Sequence, residues 1–121
     1  MRDYRDLLVW RKAMDLAETT YGFTRTLPPE ERFGLRSQMQ RAAVSVASNI
    51  AEGAARKSDR EFARFLRMAY GSLSEVETQA LLCKRVGIGD PEQANSLLAA
   101  AEELRRMLSG LIGTVLSSPA P

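Results

Sequence analysis

The chain has 121 residues, of which 45% are hydrophobic and 26% charged, with a formal net charge of +2 at pH 7. This length allows one domain with a substantial core and excludes two domains of ordinary size. The absence of histidine excludes the commonest general base and the usual zinc ligand, and a single cysteine, Cys83, excludes an internal disulfide.

The first predicted helix spans residues 7–22. Its apolar residues follow a three-four alternation, so we predict that they form one core-facing stripe. They are Leu7, Trp10, Met14, Ala17 and Tyr21. The pair Pro28-Pro29 interrupts the pattern because proline cannot continue a helix. Residues 22–33 are therefore predicted to connect this helix to the next one.

The second predicted helix spans residues 34–53 and contains the stretch RAAVSVASNIAEG. Small apolar residues cover more than half of its circumference, a wider arc than one bundle core requires. We expect a second contact on this helix, made either by a neighbouring helix or by another subunit.

The opposite side of this helix carries a polar ridge, completed by an acidic residue of the next helix. Its members are Arg41, Ser45, Asn49, Glu52 and Glu75. We interpret the ridge as structural, with cross-helix pairs that fix the register, and a catalytic or ligand site is the alternative. If the two helices are antiparallel, Glu52 lies level with Arg60 and Arg64.

The third predicted helix spans residues 58–86. It opens with Ser58-Asp59-Arg60-Glu61, a capping box, and Gly87 follows its last residue as a glycine cap. A four-three repeat predicts its core stripe, formed by Phe62, Leu66, Ala69, Leu73, Val76, Ala80 and Cys83.

The fourth predicted helix spans residues 91–116 and is capped by Asp90, with Pro91 at its first position. Its stripe is Ala94, Leu97, Ala101, Leu104, Leu108, Leu111 and Val115. We predict one all-α domain over residues 1–116, an antiparallel up-down-up-down four-helix bundle, followed by a disordered tail at 117–121. Leu66, Leu73, Val76, Leu104 and Leu108 are expected in its core.

Three stretches resemble one known family. They are LLVWRKAMDLA, LPPEERFGLRSQMQRAAVSVASNIAEG and SDREFARFLRMAYGSLSEVETQ. Together they are similar to the four-helix-bundle family encoded in intervening sequences of bacterial 23S rRNA genes, over about residues 4–88. The family usually has proline where this chain has Ala47, so we expect a milder bend there.

This resemblance implies a ring-like homopentamer with a basic surface. Related members accompany the reverse transcriptases of diversity-generating retroelements, where they resemble an accessory protein that binds the polymerase and RNA. The resemblance therefore implies three classes of partner: a second copy of the chain, RNA, and a reverse transcriptase or ribosomal component.

The most basic window of the chain is residues 56–67. Arg56, Lys57, Arg60, Arg64 and Arg67 oppose only two acidic residues there, which leaves a net charge of +3. Our first hypothesis is a non-enzymatic protein whose arginine-rich rim binds the phosphate backbone of RNA. The alternatives are a solvated helix face balanced by acids such as Glu102 and Glu103, and an adaptor that docks a polymerase or ribosomal protein.

An enzyme is not expected. Di-iron bundles need Glu-x-x-His pairs, and Glu75 and Glu77 have the wrong spacing to hold Mg²⁺ from one helix face. We therefore predict no catalytic residues, no metal and no cofactor. The sequence also has neither an apolar run of about 20 residues nor a secretory signal, so we expect a cytoplasmic protein without a membrane partner.

Overall fold

The structure is a computed structural model and describes residues 2–117. Its four long helices are α1 (Leu8–Thr24), α2 (Leu35–Ala54), α3 (Asp59–Val86) and α4 (Pro91–Leu116). Short 3-10 helices at Tyr4–Asp6 and Pro29–Glu31 precede α1 and α2, and residues 2–117 contain no β-strand. This all-α arrangement is consistent with a four-helix bundle. Of the tail predicted at 117–121, only Ser117 belongs to the described residues.

The predicted boundaries of α3 and α4 depend on capping residues, which the structure contains. The Ser58 hydroxyl accepts a hydrogen bond from the Glu61 backbone N–H at 3.1 Å. Gly87 ends α3 in the left-handed region at φ 74°, where glycine carries no Cβ penalty. Asp90 caps α4 by accepting from the Glu92 N–H at 3.0 Å. All observed helix ends lie within two residues of the predicted ones.

Neighbouring helices pack in the order α1, α2, α3, α4 around the bundle, and α4 also packs against α1. The core lies between them, and its largest fully buried side chains include Phe23, Met39, Ile50 and Phe62. The predicted core residues are confirmed: Leu66, Leu73, Val76, Leu104 and Leu108 are at most 1% exposed. The whole predicted stripe of α3 is also buried, whereas Leu111 of the α4 stripe is only half-buried.

The predicted core stripe of α1 was wrong for Met14 and Tyr21, whereas Leu7, Trp10 and Ala17 pack against the edge of the core. The buried residues of α1 are Val9, Ala13, Leu16, Thr20, Phe23 and Thr24. Of the predicted stripe, Leu7, Trp10 and Ala17 are half-buried, and Met14 and Tyr21 are 41% and 38% exposed. Both stripes have helical spacing, so periodicity alone could not choose between them. Thr20 enters the core because its hydroxyl donates to the Leu16 carbonyl at 2.7 Å.

Three residues of the predicted α1 stripe, Trp10, Met14 and Ala17, form one wall of an open groove, which we call the α1/α2 groove. Its cavity has a volume of about 390 Å³. It is lined by Tyr4, Trp10, Met14, Ala17, Val44, Ala47, Ser48 and Ala51. The wide apolar arc of α2 therefore has two parts, because one part faces the core and the other lines this groove.

The C-terminal end of α2 approaches α3 closely at Gly53. A Cβ added to Gly53 would lie 2.7 Å from the Phe65 Cβ and 3.1 Å from the Phe62 Cδ1. Glycine is therefore required here by packing, and this contact places the start of α3 against α2. The helices within residues 2–117 include none with the length and apolarity needed to cross a membrane.

Candidate nucleic-acid interface

The structure places the five predicted basic residues at one end of the bundle. Arg56 and Lys57 lie in the connection between α2 and α3, and Arg60, Arg64 and Arg67 lie on the first turns of α3. All five side chains are exposed. Their four-three spacing on α3 puts the three arginines on one face, away from the buried stripe. We call these five residues the basic face.

An aromatic ring supports two of these arginines. The guanidinium groups of Arg56 and Arg64 each lie 4.7 Å from the centroid of the Phe65 ring. Phe65 is only 5% exposed, so it lies directly beneath these cations. Such cation–π contacts restrict a long side chain without neutralising its charge. Sequence reasoning missed this role of Phe65 because it lies outside the predicted core stripe of α3.

A sixth cation, Arg2, joins the basic face from the N-terminus. Its backbone N–H donates to the Ala54 carbonyl at 2.9 Å, and its guanidinium donates to Asp59 at 2.6 Å. The same guanidinium lies 4.4 Å from the Phe62 ring centroid. Nothing in the local sequence of Arg2 indicates this position, because its partner carboxylate lies 57 residues further along the chain.

Two carboxylates in the first turn of α3 are paired with cations. Asp59 binds Arg2, and Glu61 accepts two hydrogen bonds from Arg64, at 2.9 and 3.2 Å. The Arg64 hydrogen bond lowers the pKa of Glu61, with smaller contributions from the charges of Arg56 and Arg60. Among the described residues, Arg64 is therefore the one member of the basic face that forms an ion pair.

The acids of α4 do not neutralise the basic face. Glu102 pairs with Arg105 and Arg106 on its own helix, and Glu103 pairs with Lys12 of α1 at 3.1 Å. Residues 104–116, which form the rest of α4, contain no aspartate or glutamate. The alternative in which Glu102 and Glu103 balance these arginines therefore has no ion pair to support it.

Four members of the basic face form no ion pair within residues 2–117. They are Arg56, Lys57, Arg60 and Arg67. Glu52 at the same end of the bundle is also unpaired and offsets one charge. The six cations and the nearby carboxylates of Glu52, Asp59 and Glu61 sum to a net charge of +3. The surface is thus suited to a polyanion.

The polar ridge forms a cross-helix contact only at its centre. The Ser45 hydroxyl lies 3.0 Å from the Ser72 hydroxyl of α3, and Asn49 donates to the Ser45 carbonyl and hydroxyl at 2.9 and 3.0 Å. Arg41 and Glu75 line a shared cavity of about 230 Å³ without forming an ion pair.

Glu52 was expected level with Arg60 and Arg64, but no ion pair joins these residues within the described part of the chain. Arg64 pairs with Glu61 of its own helix, at 2.9 Å. The ridge therefore contacts α3 through the Ser45–Ser72 pair, Asn49 bonds back to Ser45 within α2, and Arg41 and Glu52 remain exposed.

The residues that could support chemistry are dispersed. Within the described part of the chain, no three His, Cys, Asp or Glu side chains come together as metal ligands. Cys83 is fully buried, and this burial raises the pKa of its thiol. A buried thiol of raised pKa is a weak nucleophile.

The sequence model of a family described as 23S rRNA-intervening sequence protein matches residues 5–110. The chain belongs to this family. The match confirms the resemblance and extends it through most of α4, which carried no signature beyond its heptads. It also spans the whole basic face and the polar ridge.

The fold of this 23S rRNA-intervening sequence protein also occurs in a solved structure. The crystal structure of a protein of unknown function from the S23 ribosomal protein family of Bacteroides thetaiotaomicron is 24% identical, with a TM-score of 0.80. The similarity covers 87% of this chain and 98% of that one. At this identity the likeness shows a common fold. No functionally curated protein matches the chain significantly.

Proposed function

We propose that this protein is a non-enzymatic, oligomeric accessory protein that binds the phosphate backbone of RNA through its basic face. One observation carries the proposal: Arg56, Lys57, Arg60 and Arg67 share one exposed end of the bundle and form no ion pair with any residue between 2 and 117. Asp59, Glu61, Glu102 and Glu103 are paired with other cations. Binding to phosphates releases counterions from the nucleic acid and does not require reading the bases. We expect it to act in the cytoplasm.

We further propose that the bundle is antiparallel, in up-down-up-down order. Two contacts between α2 and α3 support this arrangement. Ser45 meets Ser72, whereas Gly53, further along α2, meets Phe62 and Phe65, which lie earlier on α3. Residue numbers thus rise on one helix as they fall on the other. The connections at residues 55–58 and 87–90 are short, as antiparallel neighbours allow.

Assembly into a ring-like homo-oligomer, with a pentamer as the resemblance implies, is part of the proposal. Two apolar surfaces support it: the α1/α2 groove, and the C-terminal part of α3, where Leu81, Leu82 and Val86 are 55%, 47% and 59% exposed. Two different complementary surfaces are what a head-to-tail ring contact requires. A ring would also place several basic faces side by side. Light scattering that gave only the 13.4 kDa monomer at micromolar concentration would contradict this part of the proposal.

The same exposed apolar surfaces favour a second candidate, an adaptor that docks a reverse transcriptase or a ribosomal protein. In that case the basic face would have no direct role in RNA binding. The two candidates differ in salt dependence, since phosphate contacts weaken steeply with salt and apolar contacts do not.

The test removes charge from the basic face without breaking an ion pair. Lys57, Arg60 and Arg67 are changed together to glutamine, which leaves the Arg64–Glu61 pair and the Phe65 contacts intact. A matched control changes Arg11, Arg25 and Arg85, three exposed arginines outside the basic face that also lack ion pairs within residues 2–117. RNA affinity is measured by fluorescence anisotropy over a series of salt concentrations, together with the melting temperature.

The basic-face variant should lose affinity for all RNA sequences alike, and its log-log salt slope should fall by about 0.7 per lost contact to a single strand. The control should bind nearly as the wild type does, and both variants should keep the wild-type melting temperature. Equal affinity and equal salt slope in the two variants would favour the adaptor.

A further inference from the structure

A small groove between α3 and α4 adjoins the basic face. It is lined by Arg67 and Tyr70 of α3 and by Ser109 and Ile112 of α4, and its volume is about 210 Å³. Arg67 belongs both to the wall of this groove and to the basic face. A ligand whose phosphate contacts Arg67 would therefore have the groove directly beside it.

The four lining side chains offer complementary chemistry. Tyr70 and Ile112 supply an aromatic and an aliphatic surface, and Ser109 supplies an exposed hydroxyl that can donate or accept a hydrogen bond. Tyr70 is half-buried and packs against the core. This packing holds the ring in place beside the groove.

The adjoining turns of α4 leave room for a ligand to approach. Gly110 and Gly113 are exposed, and a Cβ added to either would meet nothing within 4 Å. A glycine inside a helix costs about 0.5–1 kcal/mol relative to alanine, so packing within the subunit gives no reason for these two. This half of α4 also carries no carboxylate that would repel a phosphate.

We propose that this groove holds an unpaired base of single-stranded RNA while Arg67 contacts the adjacent phosphate. The inference rests on the proposed function and adds a preference to it: single strands with accessible bases should bind more tightly than duplexes. Unpaired bases stack on aromatic and apolar side chains, whereas the bases of a duplex are inaccessible to such a pocket.

The experiment compares three RNA probes of equal length: a single-stranded oligouridine, an abasic strand with the same phosphates, and a duplex. Ser109→Leu fills the groove and leaves every arginine in place. Ser96→Leu is the matched control, because Ser96 is an exposed serine near the opposite end of the same helix. Affinities are measured by fluorescence anisotropy at one fixed salt concentration, and the salt slope is measured for the abasic strand.

The wild type and Ser96→Leu should bind the oligouridine about 5- to 150-fold more tightly than the abasic strand, the range expected for one stacked base. Ser109→Leu should lose this difference, and its affinity for the abasic strand and the duplex, and its salt slope, should stay unchanged.

Three outcomes would overturn the inference. Equal wild-type affinity for the abasic strand and the oligouridine would show that the bases are not bound, with phosphate binding left standing. A Ser109→Leu variant that kept the preference would place the base elsewhere. If no RNA bound at all, the proposed function would fail together with the pocket.

Discussion

The contact between Gly53 and α3 gives a sharp prediction about stability. Replacing Gly53 by alanine adds one methyl group on α2 at a point where the Phe65 Cβ would be 2.7 Å away and the Phe62 carbonyl oxygen 3.3 Å away. Carbon atoms in contact are normally about 3.5–4.0 Å apart, so α2 and α3 would have to separate locally by about 1 Å. The Phe65 Cβ, which is the nearest atom, and the Phe62 carbonyl oxygen cannot rotate away; the Phe62 Cδ1, at 3.1 Å, belongs to a side chain.

Two effects of opposite sign determine the size of the change. Alanine is favoured over glycine inside a helix by about 1 kcal/mol, while overpacking a core contact costs about 1–3 kcal/mol. Because the Phe65 Cβ and the Phe62 carbonyl oxygen adjoin the backbone or belong to it, we expect the upper end of the cost. The free energy of unfolding should therefore fall by about 2 kcal/mol, which for a domain of this size lowers the melting temperature by about 8 °C.

Gly71 provides the matched control, since it also lies inside a helix but a Cβ there would meet nothing within 4 Å. Gly71→Ala should raise the free energy of unfolding by about 0.5–1 kcal/mol through helix propensity alone. If a second subunit packs against this exposed part of α3, the gain should disappear at high protein concentration, because assembly then contributes to stability.

The assay is thermal and urea denaturation followed by circular dichroism at 222 nm, at two protein concentrations. Gly53→Ala should lower the free energy of unfolding, and Gly71→Ala should raise it. A Gly53→Ala protein that melted at or above the wild-type temperature would refute the close approach of α2 and α3. Loss of stability in Gly71→Ala at low concentration would refute the open space around that residue.

The remaining predictions concern the core, a partly buried acid and the cysteine. Leu73→Ala should cost about 2–5 kcal/mol in urea denaturation, whereas Leu82→Ala on the exposed side of α3 should cost much less. Burial raises the pKa of the Glu77 carboxyl in the folded protein. The protonated carboxyl therefore stabilises the fold below the ordinary glutamate pKa, and this stabilisation is lost as the pH rises through the raised pKa. Glu77→Gln should therefore raise the melting temperature at pH 7 and leave it unchanged at pH 4; an equal shift at both pH values would contradict this assignment. Cys83 should react with a thiol reagent at pH 8 only as the protein unfolds, and rapid labelling of the native protein would contradict its burial.

The sequence by itself determined the helices and much of their packing. Caps are local signals, and those at Ser58, Gly87 and Asp90 are formed by residues within a few positions of each helix end. The stripe of α3 was also predictable, because only one apolar stripe of helical period runs along that helix. The basic face was visible for a similar reason, since its members are close together in the chain.

Tertiary structure decided what periodicity left open. The apolar residues of α1 form two stripes, and only its packing against α2 and α4 shows that Val9, Ala13 and Leu16 enter the core while Met14 lines a groove. The partners of charged groups were equally non-local. Arg2 forms an ion pair with Asp59 of α3, and Lys12 of α1 forms one with Glu103 of α4. These pairings leave the basic face exposed, and no local pattern could reveal them, because an ion pair depends on which helices become neighbours.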